Sequence, residues 1–215
     1  RLTILGGSSV YIPELVQALM TNNLMPKEIV LFGHEGKKLD TVTAFCQRLV
    51  HKSGFPTKII PSIDLEEAVT DAKYILNHIR VGGMKARVRD EKLPPSMGMI
   101  GDESLGAGGL ACALRTLPVL FDYVARIEKV NPDATFINLT NPMGILIEGI
   151  IKQSKLKYIG ICDLPGTYIQ KVASILNKSE DELLFDYIGL NHMGWIQNVR
   201  LDKKSVMYKV LEHIH

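Results

Sequence analysis

The apolar positions of the chain fall into short, nearly continuous runs that alternate with longer stretches of helical periodicity. In the first part, the short runs predict strands at Leu2–Leu5, Glu28–Phe32, Thr57–Ile60 and Tyr74–Asn77. The intervening stretches predict helices at Ile12–Met20, Gly36–Lys52 and Leu65–Thr70. Strands that alternate with helices pair in parallel through right-handed crossovers. The pattern therefore predicts an α/β sheet.

The same rhythm continues to about residue 175 and then changes. Further helices are predicted at Gly106–Lys129, at Met143–Gln153 and from Pro165, and further strands at Ala134–Leu139 and Lys157–Ile161. Leu183–Leu190 instead resembles a strand, and Ile196–Leu201 alternates like an antiparallel strand. We predict a Rossmann-like, doubly wound parallel sheet over residues 1–175 and the start of a second, mixed α+β domain over residues 176–215.

Composition narrows the class of protein. With 215 residues, 46% of them hydrophobic, the chain can bury a full core, and its net charge of +2 has no basic block that would indicate nucleic acid or an anionic membrane. No run approaches the roughly 20 apolar residues of a membrane span, and we expect a cytoplasmic protein. Three widely spaced cysteines argue against a disulfide framework. A start at Arg1 and an end at His215 lead us to expect a fragment.

A glycine turn follows the first predicted strand. Gly6-Gly7-Ser8-Ser9 joins that strand to a helix, where backbone N–H groups can approach a pyrophosphate. An ordinary tight turn is the alternative, since Ser8 stands where the strict motif has glycine. The second strand ends in Phe32-Gly33-His34-Glu35, without an acid at its tip for the ribose hydroxyls. Either Glu35 reaches them, or Gly33 leaves room for another group.

Charged and amide side chains follow the fourth and fifth strands. The stretch from Arg80 to Ser104 is predicted to be one long loop, carrying Arg80, Lys85, Arg87 and Arg89 with Asp102 and Glu103. Its position at the carboxyl edge of the sheet favours ligand binding over a merely solvated loop. Asn138 and Asn141 follow the fifth strand and suit sugar hydroxyls, although such residues also build plain turns.

A candidate metal site follows the sixth strand. Cys162 and Asp163 come directly after this apolar run, and His192 lies on a later loop. A cysteine and a histidine are ligands of an open transition-metal site. The alternatives are a cysteine that only packs in the core and a structural histidine.

Six sequence blocks in the same order resemble glycoside hydrolase family 4, whose members depend on NAD and a divalent metal. The resemblance extends over essentially the whole chain, with Ser8 in place of a glycine and Asp102 in place of the usual glutamine. The blocks are Gly6–Leu15, Arg80–Gly83, Ile100–Glu103 with Gly106–Gly109, Asn138–Pro142, Cys162–Pro165 and Gly189–His192.

This resemblance implies a reaction that begins with oxidation. In the family, NAD⁺ takes a hydride from C3 of the sugar, the C2 proton becomes acidic, its loss expels the C1 leaving group, water adds, and the hydride returns. A Mn²⁺-type ion stabilises the enediolate. The cofactors implied here are therefore NAD and Mn²⁺ or another divalent metal.

The resemblance also assigns roles to individual residues. It implies that Cys162 and His192 bind the metal and that Asp163 acts as a catalytic acid. The family's tyrosine base lies beyond the matched region. It further implies that Gly6, Gly7, Ser8 and Ser9 bind the dinucleotide pyrophosphate and that Arg80 and Asn138 lie along the cofactor. Arg87 and Asn141 would bind the phosphosugar, and Glu103 would contact a sugar hydroxyl.

The expected substrate is a phosphorylated disaccharide or glucoside. Asp163 is typical of the family's phospho-α-glucosidases, whereas the longer blocks Gly6–Leu15 and Gly106–Thr116 resemble the phospho-β-glucosidases, and we favour β. An NAD-dependent 2-hydroxy acid dehydrogenase and a non-catalytic nucleotide- or sugar-phosphate-binding module are the alternatives. We further expect a homo-oligomer, either a dimer or a tetramer.

Overall fold

A computed structural model describes residues 1–213 and divides the chain into two compact units. The first unit comprises Arg1–Ile161, and the second begins at Cys162. The boundary lies earlier than the predicted one at residue 175, because the helix that follows Cys162 packs with the second unit.

The first unit is built on a six-stranded parallel sheet of order β3-β2-β1-β4-β5-β6. Its strands are β1 (Leu2–Leu5), β2 (Glu28–Phe32), β3 (Lys58–Ser62), β4 (Tyr74–Asn77), β5 (Thr135–Asn138) and β6 (Lys157–Gly160). The strand order reverses between β1 and β4, the point at which an open α/β sheet forms its ligand crevice. The predicted Rossmann-like, doubly wound sheet is confirmed.

Helices cover both faces of this sheet. They are α1 (Ile12–Thr21), α2 (Lys37–Lys52), α3 (Leu65–Val69), α4 (Gly83–Lys92), α5 (Gly106–Val130) and α6 (Met143–Ile151). Buried side chains of α1 and α2 form one core layer, and those of α3, α5 and α6 form the other. α5 contributes Leu120, Val124 and Ile127 at helical spacing, and this apolar stripe fixes the face that it buries.

The prediction of one long loop from Arg80 to Ser104 is wrong for most of that stretch. Residues Gly83–Lys92 form α4, and Pro94–Met97 form a 3₁₀ turn. The sequence of α4 carries no apolar stripe; its buried positions are Ala86 and Asp90. The Asp90 carboxylate accepts two hydrogen bonds from the Arg115 guanidinium of α5, which also donates to the Val81 carbonyl oxygen at 2.9 Å. An ion pair, rather than hydrophobic periodicity, holds this helix.

Replacing Asp90 with Ala tests that account. We expect a loss of about 3 kcal/mol in the free energy of unfolding, because Arg115 is then left half-buried without its carboxylate. Urea denaturation measures the loss. The matched control is Glu66→Ala, which removes one of two carboxylate partners of Arg126 from an exposed pair that also has two hydrogen bonds and should have a much smaller effect. Equal losses would contradict the anchoring role of the buried pair.

The second unit combines α7 (Leu164–Ile175) with a small antiparallel sheet and a short helix. The sheet contains β7 (Leu183–Leu190), β8 (Met193–Leu201) and β9 (Lys204–Ser205), and α8 (Met207–Leu211) follows. Val172 of α7, Val199 of β8 and Val210 of α8 share its core. β8 begins at Met193, earlier than the predicted Ile196, because only two residues connect it to β7.

Within residues 1–213, no helix is both long enough and apolar enough to cross a bilayer.

Candidate functional site

A cleft of ≈ 590 Å³ opens in the first unit beside the ends of β1 and β4. Three of its lining residues are cations, and no carboxylate lines it within the described part of the chain. The potential in the cleft therefore favours an anionic ligand. The lining residues used below are Ser8, Ser9, Tyr11, Lys37, Lys38, His78, Arg80, Thr140 and Asn141.

The glycine turn after β1 shapes one wall of this cleft. Gly6 has φ +96°, and a Cβ atom there would lie 2.5 Å from the His78 carbonyl oxygen. A Cβ atom on Gly7 would lie 2.7 Å from the backbone of Leu31. Both glycines are thus required for the turn to pack against β2 and β4. Ser8 and Ser9, which follow them, are the residues of the turn that lie along the cleft together with Gly6.

These residues fit a dinucleotide. Within residues 1–213, the Ser8 and Val10 backbone N–H groups have no hydrogen-bond acceptor in the protein. They precede α1, whose N-terminus carries partial positive charge. Donors of this kind beside a helix N-terminus suit a pyrophosphate, and the Arg80 guanidinium, which also donates to Glu103, lines the same cleft.

Glu103 collects three of the predicted ligand-binding residues around its carboxylate. Arg80 donates to both of its oxygens, Asn141 donates from Nδ2 to Oε1 at 3.3 Å, and Arg87 Nε lies 3.5 Å from Oε2. Burial alone raises the pKa of Glu103, but the hydrogen bond and charge of Arg80, with Asn141 and Arg87, hold it below the ordinary value. Glu103 is therefore an ionised acceptor at neutral pH.

A pH series on Glu103→Gln tests this charge. We expect the variant to lose about 2 kcal/mol in the free energy of unfolding at pH 7, because hydrogen bonds to a charged group contribute about this much. The folded pKa lies below that of the unfolded chain, so the stabilisation is complete above roughly pH 4.3 and disappears as the pH falls through the folded value. Denaturant unfolding from pH 7 to pH 3 should show the unfolding free energies of the unsubstituted chain and of the variant converging. A difference that stays constant over this range would contradict the charge of Glu103.

Asn138 is placed differently from its neighbour Asn141. It is fully buried, its Oδ1 accepts from Asn77 Nδ2 at 2.7 Å, and its Nδ2 donates to the Thr140 carbonyl oxygen at 2.9 Å. This network supports Thr140 and Asn141, which line the cleft. The burial argues against direct contact of Asn138 with a cofactor, and its predicted role remains a prediction.

The second unit contains the predicted metal ligands. Cys162 Sγ lies 3.5 Å from His192 Nε2, and both side chains are half-buried. The short connection between β7 and β8 holds His192 at φ +62°, a conformation in which histidine is enriched among non-glycine residues. This separation suits two ligands of one ion, because an ion between the two atoms can lie about 2.0–2.3 Å from each of them, the usual length of metal–nitrogen and metal–sulfur bonds. The residues therefore fit a divalent metal.

Asp163 stands beside this pair without completing it. Its Oδ1 lies 4.0 Å from Cys162 Sγ, and its carbonyl oxygen accepts from Thr167 in the first turn of α7. Among the described residues, no group of three or more histidine, cysteine, aspartate or glutamate side chains is arranged to hold a metal.

Sequence reasoning missed several residues that line the cleft, among them Tyr11, Lys37, Lys38 and His78. Lys37 and Lys38 follow the tip of β2, and that position was the available signal. Tyr11 meets His78 edge-to-face with ring centroids 6.2 Å apart. Burial, and then the charge of Arg80, lower the pKa of His78, which favours its neutral form.

Comparison with known proteins defines the family. The family model described as "Family 4 glycosyl hydrolase" matches residues 1–178, and the chain belongs to this family. The resemblance stated from the six sequence blocks is confirmed. The fold alone also resembles lactate dehydrogenase from Eimeria maxima, at 15% identity and a TM-score of 0.68.

Similar proteins within the family include both linkage types. The chain is 37% identical over 220 residues to the 6-phospho-beta-glucosidase of Escherichia coli K12, covering 100% of this chain and 49% of that protein. It is 33% identical to 6-phospho-alpha-glucosidase 1 of Lacticaseibacillus paracasei, covering 92% and 46%.

A solved relative was crystallised with a metal, a dinucleotide and a sugar phosphate. It is the 6-phospho-beta glucosidase of Thermotoga maritima with manganese, NAD⁺ and glucose-6-phosphate, at 34% identity and a TM-score of 0.88, covering 100% of this chain and 52% of that one. The chain thus spans about half the length of the relatives that it matches.

Proposed function

We propose that this chain carries the dinucleotide- and metal-binding parts of a 6-phospho-β-glucosidase, which hydrolyses phosphorylated β-glucosides to glucose 6-phosphate with NAD⁺ and a divalent metal. The observation that carries the proposal is the 3.5 Å separation of Cys162 Sγ and His192 Nε2 in a member of family 4. Relatives crystallised with NAD and manganese support the same cofactors.

The predicted metal ligands and the glycine turn have defined parts in this proposal. Cys162 and His192 hold the metal, and a bound divalent ion supplies Lewis-acid stabilisation of negative charge on sugar oxygens. The backbone around Ser8 and Ser9 holds the dinucleotide phosphates, with Arg80 along the cofactor. In this proposal, residues 1–161 are the NAD-binding part, and the substrate and metal part begins at Cys162, as the second unit does.

The sugar phosphate is assigned to Arg87, with Asn141 beside it and Glu103 at a hydroxyl. Within the described residues, Arg87 contacts protein carboxylates through Nε, which leaves its terminal NH₂ groups for a phosphate. Because its pKa lies below the ordinary value, Glu103 is ionised at neutral pH and can accept a hydrogen bond from a sugar hydroxyl. We also propose that the protein works in the reducing cytoplasm, because a free Cys162 thiol is required; a homo-oligomeric state remains a prediction.

A 6-phospho-α-glucosidase is the second candidate, and Asp163 is the observation that favours it. Its carboxylate adjoins the metal cysteine, where the resemblance implies an acid role in α-specific members. Higher identity to the β-specific relatives, 35–37% against 33%, favours β.

Cleavage of α- and β-linked p-nitrophenyl 6-phosphoglucosides with NAD⁺ and Mn²⁺ under reducing conditions tests both candidates. Faster release from the β-linked compound supports the proposal, and faster release from the α-linked compound favours the alternative. Cleavage that continues unchanged in a metal chelator would contradict both. Deuterium at C2 of glucose 6-phosphate released in D₂O would exclude a non-catalytic binding module.

A further inference from the structure

The tip of β2 lacks the group that normally selects NAD. In Rossmann-type sites an acid after the second strand accepts from the 2′-hydroxyl of the adenosine ribose, and its negative charge disfavours a 2′-phosphate. Here Gly33 follows β2 directly. A Cβ atom on Gly33 would lie 3.5 Å from the Ser8 backbone nitrogen, so this position adjoins the turn assigned to the dinucleotide.

The nearby carboxylates do not replace the missing acid. Glu35 and Asp40 are exposed, and neither is among the residues that line the cleft. His34 is exposed as well. The adenosine side of the cleft is therefore open at the place where other sites carry a negative charge.

Cations occupy this part of the cleft instead. Lys37 and Lys38 line it together with Ser8 and Ser9, and they form the first turn of α2. α2 has 16 residues, and its N-terminus therefore adds partial positive charge beside the two lysines. A phosphate monoester carries a charge of about −1.5 to −2 at neutral pH. Two lysines therefore attract a 2′-phosphate far more strongly than a neutral 2′-hydroxyl.

We propose that this cleft takes a 2′-phosphorylated dinucleotide, NADP⁺, at least as well as NAD⁺, with Lys37 and Lys38 contacting the 2′-phosphate and Gly33 removing the usual barrier to it. This inference rests on the proposed function, because it assumes that the cleft holds the dinucleotide. It concerns the specificity of binding and leaves the sugar chemistry unchanged.

Binding of paired nucleotides to the purified chain tests the proposal directly. Fluorescence titrations compare NADPH with NADH, and calorimetry compares adenosine 2′,5′-bisphosphate with 5′-AMP, a pair that differs only in the 2′-phosphate. We expect the phosphorylated member of each pair to bind at least as tightly. The preference should weaken as salt rises, because exposed lysines are screened.

Variants separate the two halves of the proposal. The double variant Lys37→Ala/Lys38→Ala should weaken NADPH binding about 10-fold and NADH binding much less. Gly33→Asp should shift the NADPH-to-NADH ratio at least ~10-fold toward NADH. Gly33 has no left-handed φ, and its Cβ atom would make contacts of 3.4 Å or longer, so the fold should accept aspartate; thermal unfolding verifies this.

The matched control is Lys52→Ala, at the other end of α2 and about 22 Å along its axis. It should leave both affinities unchanged. Tighter binding of NADH than of NADPH to the unsubstituted chain would overturn the inference and leave the proposed function standing. An unchanged ratio in Gly33→Asp, or a loss in Lys52→Ala equal to that in the double variant, would also overturn it. Binding of neither dinucleotide would overturn the proposed function itself.

Discussion

Replacing Cys162 with Ala should lower the affinity for Mn²⁺ at least ~100-fold, because hydrogen-bond partners of metal ligands alone are worth about 10- to 100-fold and a ligand is worth more. The thiol is half-buried, and its polar contacts are with His192 and Asp163, so the fold should remain. The electron paramagnetic resonance signal of free Mn²⁺, titrated with glucose 6-phosphate present and under reducing conditions, measures the affinity.

Two further variants make this result specific. His192→Ala should lose Mn²⁺ to a similar degree, since it removes the other member of the 3.5 Å pair. Cys46→Ala is the control, because Cys46 belongs to the first unit, where burial raises the pKa of its thiol to about 11 and disfavours the thiolate that binds metal. Equal affinity in the unsubstituted chain and in Cys162→Ala would contradict the metal site.

The sheet was predictable because its strands carry their own signal. β1, β2 and β4 are short apolar runs that lie buried between two helical layers, and their predicted bounds agree with the structure. α4 was not predictable, because its position depends on Asp90 pairing with Arg115 of α5. An ion pair between distant residues leaves no periodic pattern in either segment.

Some residues of the candidate sites could also be predicted from the sequence, and others could not. Cys162 and His192 were predicted as a pair, but only the β7–β8 connection shows that residues 30 positions apart bring their side chains to 3.5 Å. Lys37 and Lys38 resemble ordinary exposed lysines until the parallel sheet places them along a cleft with Ser8. Asn138 differs, because the structure uses this strand-tip amide within the buried network, and its role at the cofactor remains a prediction.

Replacing Arg87 with Ala should weaken binding of glucose 6-phosphate by about 10-fold or more, since charged hydrogen bonds contribute about 1.5–3 kcal/mol and 1.4 kcal/mol is tenfold. Binding of glucose should change little. The selectivity follows from the geometry: Nε faces Glu91 and Glu103, and the terminal NH₂ groups remain for phosphate. Calorimetry of both sugars in the presence of Mn²⁺ and dinucleotide measures the difference.

Controls on the same helix separate phosphate binding from a loss of structure. Arg89→Ala removes an exposed guanidinium from α4 and should leave both affinities unchanged. Arg87→Lys should restore only part of the binding, because an ammonium keeps the charge but not the planar, two-bond contact. Because Arg87 also contacts Glu103, the Ala variant should disturb that carboxylate as well. An equal loss for glucose and glucose 6-phosphate would therefore assign Arg87 to support of Glu103 rather than to the phosphate.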